Sequence, residues 1–282
     1  MKTILVTGAN GQLAKCIKDL ENKFNQFKFI YTNSSEFDIT QKDQTAFFNN
    51  NKIDWCINCA AYTSVDLAES EHKKVNDINV LGCKYLAQAC KDYHINLIHI
   101  STDFVFDGEI SKAYKENDTT NPLGVYGLSK LNGENEIISI FDNHFIIRTS
   151  WLYSEYGNNF FKTMLRLASD RNEINVISDQ IGTPTYAKDL ANALLTIVKS
   201  DNQNYGIYNY SNEGVASWYD FAKAIFEIKN LSIKTIPIPS LSYPTPAKRP
   251  SFSVLDKTKI KTTFQIEIPY WRDSLKKAIS KI

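Results

Sequence analysis

The sequence predicts an α/β protein: a Rossmann-type, doubly wound parallel sheet with a smaller C-terminal substrate-binding lobe. Three observations carry this. An apolar run, Ile4-Leu5-Val6, turns at once into Gly8-Ala9-Asn10-Gly11-Gln12-Leu13-Ala14. Short apolar segments then alternate with helical ones through the first half of the chain. A run of small residues, Cys59-Ala60-Ala61-Tyr62-Thr63, follows directly on an apolar segment. That is where open α/β sheets place their ligands.

Taken in order, Lys2 to Thr7 reads as a strand covered on both faces, because it is apolar almost throughout. Lys15 to Phe24 has helical character, and Phe27 to Thr32 is a second strand. A helix around Lys42 to Asn50 leads to a third strand, Ile53 to Asn58. A long helix over His72 to Tyr93 precedes strand four, Asn96 to Ile100. The chain past Ser101-Thr102-Asp103 is polar and rich in turn formers as far as Pro122. A helix then opens at Tyr126, and Asn143 to Arg148 is strand five. The second half is less regular. Helices are expected up to Ala168, over Asp189 to Lys199 and over Ser217 to Phe226, with strands at Ile174 to Val176 and Gly206 to Tyr210. Pro237 to Pro250 holds five prolines and reads as a surface loop. Residues 1–150 form the expected dinucleotide-binding domain, with 187–210 returning to it. Residues 151–186 and 211–282 form the substrate lobe.

Composition narrows the function. Of 282 residues, 43% are hydrophobic and 22% charged, as in ordinary globular proteins. A formal net charge of +1 without a basic stripe argues against nucleic acid and anionic membrane surfaces. No apolar run is long enough to span a bilayer. The first apolar run is too short for a signal peptide, so a cytoplasmic location is expected. Cys56 and Cys59 form a C-x-x-C inside a strand, where residues three apart face opposite sides. With no second pair to complete a zinc site, all five cysteines are expected reduced and structural. His72, His94, His99 and His144 lack metal-ligand spacing, and His99 is read as packed in its strand. No metal site is expected.

Two motifs carry chemistry. Strand, glycine turn and helix at residues 2–14 match the context of a dinucleotide fingerprint. Gly8 permits the tight turn, Gly11 lets backbone approach a pyrophosphate at the helix N-terminus, and Ala14 allows close helix–strand packing. The second motif is Tyr126-Gly127-Leu128-Ser129-Lys130. Four residues apart on a helix, the phenol and the ammonium share one face. Alone, Tyr-x-x-x-Lys is a common chance pattern.

Together, Gly8-x-x-Gly11-x-x-Ala14, Thr102 and Tyr126-x-x-x-Lys130 resemble the extended short-chain dehydrogenase/reductase superfamily. Within it, the chain is similar to the branch that reduces dTDP-4-dehydro-L-rhamnose. The matching runs include Ala60-Ala61-Tyr62-Thr63-Ser64-Val65-Asp66, residues 101–108, Arg148-Thr149-Ser150-Trp151, residues 179–185 and Arg249-Pro250. They span nearly the whole chain in the right order. The resemblance implies NAD(P)H-dependent reduction of the C4 ketone of a dTDP-linked 6-deoxyhexose. Tyr126 is then the acid, and Lys130 lowers its pKa from the free value of ~10 and binds the nicotinamide ribose. Thr102 donates to the substrate oxygen.

For the cofactor, the resemblance places Gly8, Asn10, Gly11, Gln12 and Leu13 at the pyrophosphate and Asp38 and Ile39 at the adenine. Cys59, Ala60, Ala61 and Tyr62 flank the ribose and nicotinamide, and Asn79 braces the site. Around the sugar it places Thr63, Val65, Asp103, Val105 and Trp151, whose ring suits the C–H face of a pyranose, with Arg249 toward the dTDP moiety. Strand two ends in Tyr31-Thr32-Asn33-Ser34-Ser35, with neither an acid for a ribose 2′-hydroxyl nor an arginine for a 2′-phosphate. Ser34 and Ser35 can hydrogen-bond a phosphate, so NADPH is expected, with NADH as the alternative. Two departures from the family pattern stand out. Cys16 replaces a glutamate that in some members binds Mg2+ at a dimer interface, which puts such a metal in doubt. Phe104 replaces a tyrosine near the sugar. A monomer or homodimer is expected. The competing readings are another sugar-nucleotide reductase or epimerase, and a non-catalytic NADP-binding regulatory subunit. Intact Thr102, Tyr126 and Lys130 weigh against the last.

Overall fold

The computed structural model describes residues 1–282. Its centre is a six-stranded, all-parallel sheet in the order β10-β5-β4-β3-β1-β2. The first half supplies five of these strands: β1 (Lys2–Thr7), β2 (Phe27–Thr32), β3 (Trp55–Asn58), β4 (Asn96–Thr102) and β5 (His144–Thr149). Side chains alternate between sheet faces, so a continuous apolar strand serves two cores. In β1, Ile4 and Val6 pack under α1 (Gln12–Lys18), while Leu5 joins Cys56 and Leu97 on the opposite face. The chain leaves β1 toward β2 and returns to β1's other side as β3, which makes the crevice above β1 the switch point of the sheet.

Helix α1 begins directly at the glycine turn, earlier than the sequence pattern suggests, and ends in a 3-10 turn at Glu21–Phe24. Helix α2 (Thr45–Asn50) follows, then a short α3 (Val65–Ala68). The long helix expected over His72 to Tyr93 is in three parts: α4 (His72–Asn76), a π-helical turn (Asp77–Leu81) and α5 (Gly82–Asp92). The catalytic candidate helix is α6 (Val125–Ile140). It packs on α5 and buries Ile137 in the second core.

In the second half, β6 (Leu152–Tyr153), α7 (Phe160–Asp170), β7 (Glu173–Ile177), β8 (Ile181–Gly182) and β9 (Thr185–Tyr186) come first. Helix α8 (Ala187–Ser200) packs on α1, and β10 (Gly206–Asn209) completes the main sheet beside β5. Then come β11 (Ala216–Ser217), α9 (Trp218–Ile228) and β12 (Lys234–Ile238). Ser217 and Asp220 form a reciprocal capping box at the start of α9. Strand β12 pairs with β7 and carries Pro237, so the expected proline loop starts later than the sequence suggests. Proline is tolerated there because β12 is an edge. Two helices without a clear sequence signature, α10 (Thr258–Phe264) and α11 (Trp271–Ile279), close the chain. A separate core of Phe161, Met164, Phe221, Ile225, Trp271 and Leu275 holds α7, α9 and α11 together.

All five cysteines are free. Cys16 is fully buried in the main core. No helix is long and apolar enough to cross a membrane.

Candidate active site

A groove of about 880 Å3 runs over the switch point. Gly8, Asn10, Gly11, Cys59, Ala60 and Ala61 form its floor and Asp38 and Ile39 one end. Gly8 has φ +67°, and a Cβ there would lie 2.8 Å from Ala60 N. Only glycine lets the two loops approach so closely. Gly11 caps α1 with no side-chain hydrogen bond, so the first amides of the helix remain free for an anion. Gln12 is engaged elsewhere: its Nε2 donates to Leu152 O at 3.2 Å, and its Oε1 accepts from Ser154 and Asn159. It thereby ties α1 to the second half of the chain and, with Leu13, lines the neighbouring cavity. His72, Lys73 and Lys74 also line the groove that contains Ser34. Lys73 is paired with Asp77 at 2.6 Å and Lys74 with Glu71 at 3.3 Å, and both carboxylates line the same groove, so α4 adds no net positive charge there.

A second cavity, about 480 Å3, shares Gly11, Cys59 and Ala61 with the groove. It brings together Thr102 from β4 and Tyr126 and Lys130 from α6. Thr102 Oγ1 donates to Asp103 Oδ1 at 3.1 Å and accepts from Phe104 N at 3.2 Å. The Phe104 ring meets Tyr126 edge-on at 5.8 Å. Lys130 is 2% exposed, and its Nζ donates to Ile100 O at 2.7 Å and meets His99 Nε2 at 3.1 Å. An ammonium only donates, so His99 accepts. Burial first, then the nearby Lys130 and His144, hold His99 well below its ordinary pKa, so it is neutral. His99 is thus packed, as expected, yet it also anchors the candidate lysine.

The expected lowering of the Tyr126 pKa is not found. Burial pushes the phenol up to about 12, with the Thr102 hydroxyl opposing and Asp103 reinforcing the rise. Lys130 is itself shifted down, chiefly by burial. At neutral pH the phenol keeps its proton, the form an acid needs. Asp103 is 2% exposed, and burial raises its carboxyl to about 7, opposed by the nearby Ser253 and Thr102 hydroxyls.

Behind this row, Glu134 extends the Tyr126–Lys130 spacing by one more helical turn. Arg148 donates from Nε and Nη2 to its two oxygens at 3.0 and 2.7 Å, and Ser101 donates to Oε1. Both members of the ion pair are buried. At the other end of α6, Val125 N donates to Glu69 Oε1 at 2.8 Å, a cap supplied from a distant segment.

The remaining candidates divide. Thr63, Val65, Asp103, Trp151 and Arg249 line the second cavity. Val105 does not: it is fully buried with Phe106, Tyr114 and Leu255, because the 3-10 turn at Asp103–Val105 rotates it into that cluster. Tyr62 and Asn79 are absent from both cavity walls. The Tyr62 ring packs with Ala68 and Val75 and its hydroxyl donates to Glu71 at 2.9 Å. Asn79, within the π-helical turn, accepts from Tyr62 N at 2.8 Å and donates to Tyr62 O at 3.1 Å and Ser129 Oγ at 3.0 Å. It ties the Tyr62 segment to α6 from behind the cavity walls.

Trp151 has φ +45°, and its ring stacks on Trp218 at 3.5 Å and 6°. One face is therefore covered by Trp218, and Gly182 packs so close to the same indole that a Cβ there would lie 2.7 Å from its Cε2. Trp218 gives no sequence signal of this role. Arg249 donates to both oxygens of Asp66 at 3.0 and 2.8 Å and to Thr245 at 2.6 Å. It stands between the second cavity and a third, of about 560 Å3, with Phe160 and Trp218 also common to both.

A family model described as the RmlD substrate binding domain matches residues 1–282. A dTDP-4-dehydrorhamnose reductase from Aggregatibacter actinomycetemcomitans is 43% identical over 98% of each chain. Among solved structures, a dTDP-4-dehydrorhamnose reductase from Clostridium acetobutylicum superposes with a TM-score of 0.95 at 40% identity over 99% of each chain. One from Bacillus anthracis, in complex with NADP, does so at 0.96 and 36% identity over the full length of both. Full-length sequence and fold agreement at these levels makes the chain a member of the RmlD substrate-binding-domain family.

Proposed function

We propose that the chain reduces dTDP-4-dehydro-L-rhamnose to dTDP-L-rhamnose at the expense of NADPH, for rhamnose-containing polysaccharides. One observation carries this: Thr102, Tyr126 and Lys130 line a single cavity that shares three residues with a dinucleotide groove. The groove fits a dinucleotide. Its floor closes only because Gly8 lacks a Cβ, which lets the Cys59–Ala60 backbone pack against it, and the free amides of α1 suit a pyrophosphate. Ser34 lines the same groove and can hydrogen-bond a 2′-phosphate, while Lys73 and Lys74 there are paired with Asp77 and Glu71. Bound there, NADPH supplies a hydride to C4 of the sugar.

The chain's own groups do the rest. Tyr126 gives its phenolic proton to the C4 oxygen. The Thr102 hydroxyl turns from Asp103 to that oxygen and stabilises its developing charge. Two N–H groups of Lys130 are held by Ile100 O and His99, which leaves the third for a ribose hydroxyl. Asp103 and Trp151 meet the sugar, and the third cavity, across Arg249 and Trp218, takes the nucleotide. Residues 151–186 and 211–282 act as the substrate lobe, and the reaction is cytoplasmic, in a monomer or homodimer. Incubation with dTDP-4-dehydro-L-rhamnose and NADPH, followed by nicotinamide absorbance, tests the assignment. Cofactor oxidation that depends on the sugar nucleotide is expected, and its absence would refute the proposal.

A further inference from the structure

Nine buried side-chain polar atoms lack a hydrogen-bond partner, and three of them belong to residues that line the second cavity: Asp103 Oδ2, Thr149 Oγ1 and Tyr153 Oη. The Tyr153 ring is held among Phe161, Tyr186 and Phe221 in the C-terminal core. That leaves Asp103, already placed at the sugar, and Thr149, which has no role so far.

Thr149 ends β5 in register with Thr102, which ends β4. Residues paired in register on parallel strands present their side chains on the same face, about 4.8 Å apart. The Thr149 side chain therefore stands beside that of Thr102, with its hydroxyl oxygen closed to solvent. It differs in one respect. Thr102 Oγ1 has two partners, whereas Thr149 Oγ1 has none at 7% exposure. An unpaired buried hydroxyl destabilises the folded chain, and valine would fill the same volume without that penalty. A threonine that weakens the fold at a cavity wall is accounted for when a ligand completes it.

We propose that Thr149 is a sugar-binding residue: rotated into the cavity about its Cα–Cβ bond, its hydroxyl hydrogen-bonds the hydroxyl on the ring carbon next to the ketone while Thr102 holds the ketone oxygen. Adjacent oxygens of a pyranose lie close enough for hydroxyls on neighbouring strands to reach both. Asp103 Oδ2, the other unpaired atom on this wall, accepts from a further ring hydroxyl. Thr149 thereby selects 4-keto sugars that keep a hydroxyl beside the ketone. The inference rests on the reductase reading of the same cavity.

Thr149→Val and Thr149→Ser test it, with wild type alongside. Losing one such hydrogen bond lowers kcat/KM for the sugar nucleotide about tenfold in Thr149→Val. The Kd for NADPH does not change, Tm is equal to or above that of wild type, and Thr149→Ser restores most of the loss. An unchanged kcat/KM overturns the inference. So does a loss carried by the NADPH Kd, which would assign the hydroxyl to the cofactor, or a lowered Tm without rescue by serine, which would make it structural. Should wild type itself fail to oxidise NADPH, the reductase reading falls. Calorimetric titration with dTDP-L-rhamnose then decides the role of Thr149, because equal affinity in wild type and Thr149→Val overturns it independently.

Discussion

At the scale of single residues, the chemistry depends on which groups keep their protons. Tyr126 sits in a site whose burial favours the phenol over the phenolate, the form required of the proposed proton source for the C4 oxygen. Tyr126→Phe keeps the ring and its edge contact with Phe104 but removes the proton. Turnover should drop by about 10²–10⁴-fold, typical of a lost general acid, while calorimetry shows NADPH binding unchanged. Asp103 gives a second, signed expectation. Its carboxyl is raised to about 7 by burial, against ~3.9 in an unfolded chain. Between those values the unfolded chain holds fewer protons than the folded one. Native stability contributed by this group therefore falls as pH rises from about 4 to about 7, and is level beyond. Asparagine does not ionise. Asp103→Asn should gain on wild type across that window, by up to a few kcal/mol at ~1.4 per unit of pKa difference, while its activity falls. Thermal unfolding of both proteins at about pH 5 and about pH 8 measures the gap. A constant gap would show that Asp103 is not buried as a neutral acid.

At the scale of elements, α6 is the part that matters most. Tyr126, Lys130 and Glu134 recur every four residues, so one helical face carries the acid, its cationic neighbour and an anchor. The first two were legible in the sequence because their spacing is local. Glu134 follows the same spacing, but its partners Ser101 and Arg148 come from β4 and β5, and sequence alone does not bring those strands beneath the helix. Glu134→Gln leaves Arg148 buried with half its pairing lost, at a cost of about 3–5 kcal/mol. Chemical denaturation reads that loss directly, and an effect below about 1 kcal/mol, the range of an exposed pair, would contradict the burial. The β1–α1 turn was legible for a similar reason: Gly8 and Gly11 are close in sequence, and their need for space is a backbone property. The π-helical turn was not. Asp77 to Leu81 has an unbroken helical pattern, and only the pairing of Asn79 with the Tyr62 backbone shows why the helix widens there. Val105, placed at the sugar by resemblance, lies instead with Phe106, Tyr114 and Leu255, because the 3-10 turn at Asp103–Val105 directs it there.

At the scale of the molecule, the substrate cavity is closed by two halves of the chain that the sequence presents far apart. The six-stranded sheet was legible because its inner strands are buried on both faces and carry short apolar runs such as Ile4-Leu5-Val6. The C-terminal lobe was less so, since β6, β8, β9 and β11 are two residues each and too short to show a period. Contacts across the halves set the site: Gln12 with Leu152 and Ser154, and Asp66 with Arg249. Within the second half, Trp218 reaches Trp151, and no local pattern announces it. Arg249→Met keeps the apolar stem and removes the charge between the two cavities. It should raise KM for the sugar nucleotide by roughly fivefold, equivalent to about 1 kcal/mol, and leave the NADPH Kd alone. Equal effects on both ligands would mean the pair serves only to hold the halves together. The claim beneath all of this is that hydride reaches C4 of the sugar in the cavity of Thr102, Tyr126 and Lys130. Turnover of dTDP-4-dehydro-L-rhamnose with NADPH deuterated at its hydride position, read by NMR of the product, tests it most directly. The account predicts dTDP-L-rhamnose with one deuterium at C4 for each cofactor oxidised; a product without deuterium at C4, or a cofactor left reduced, would contradict it.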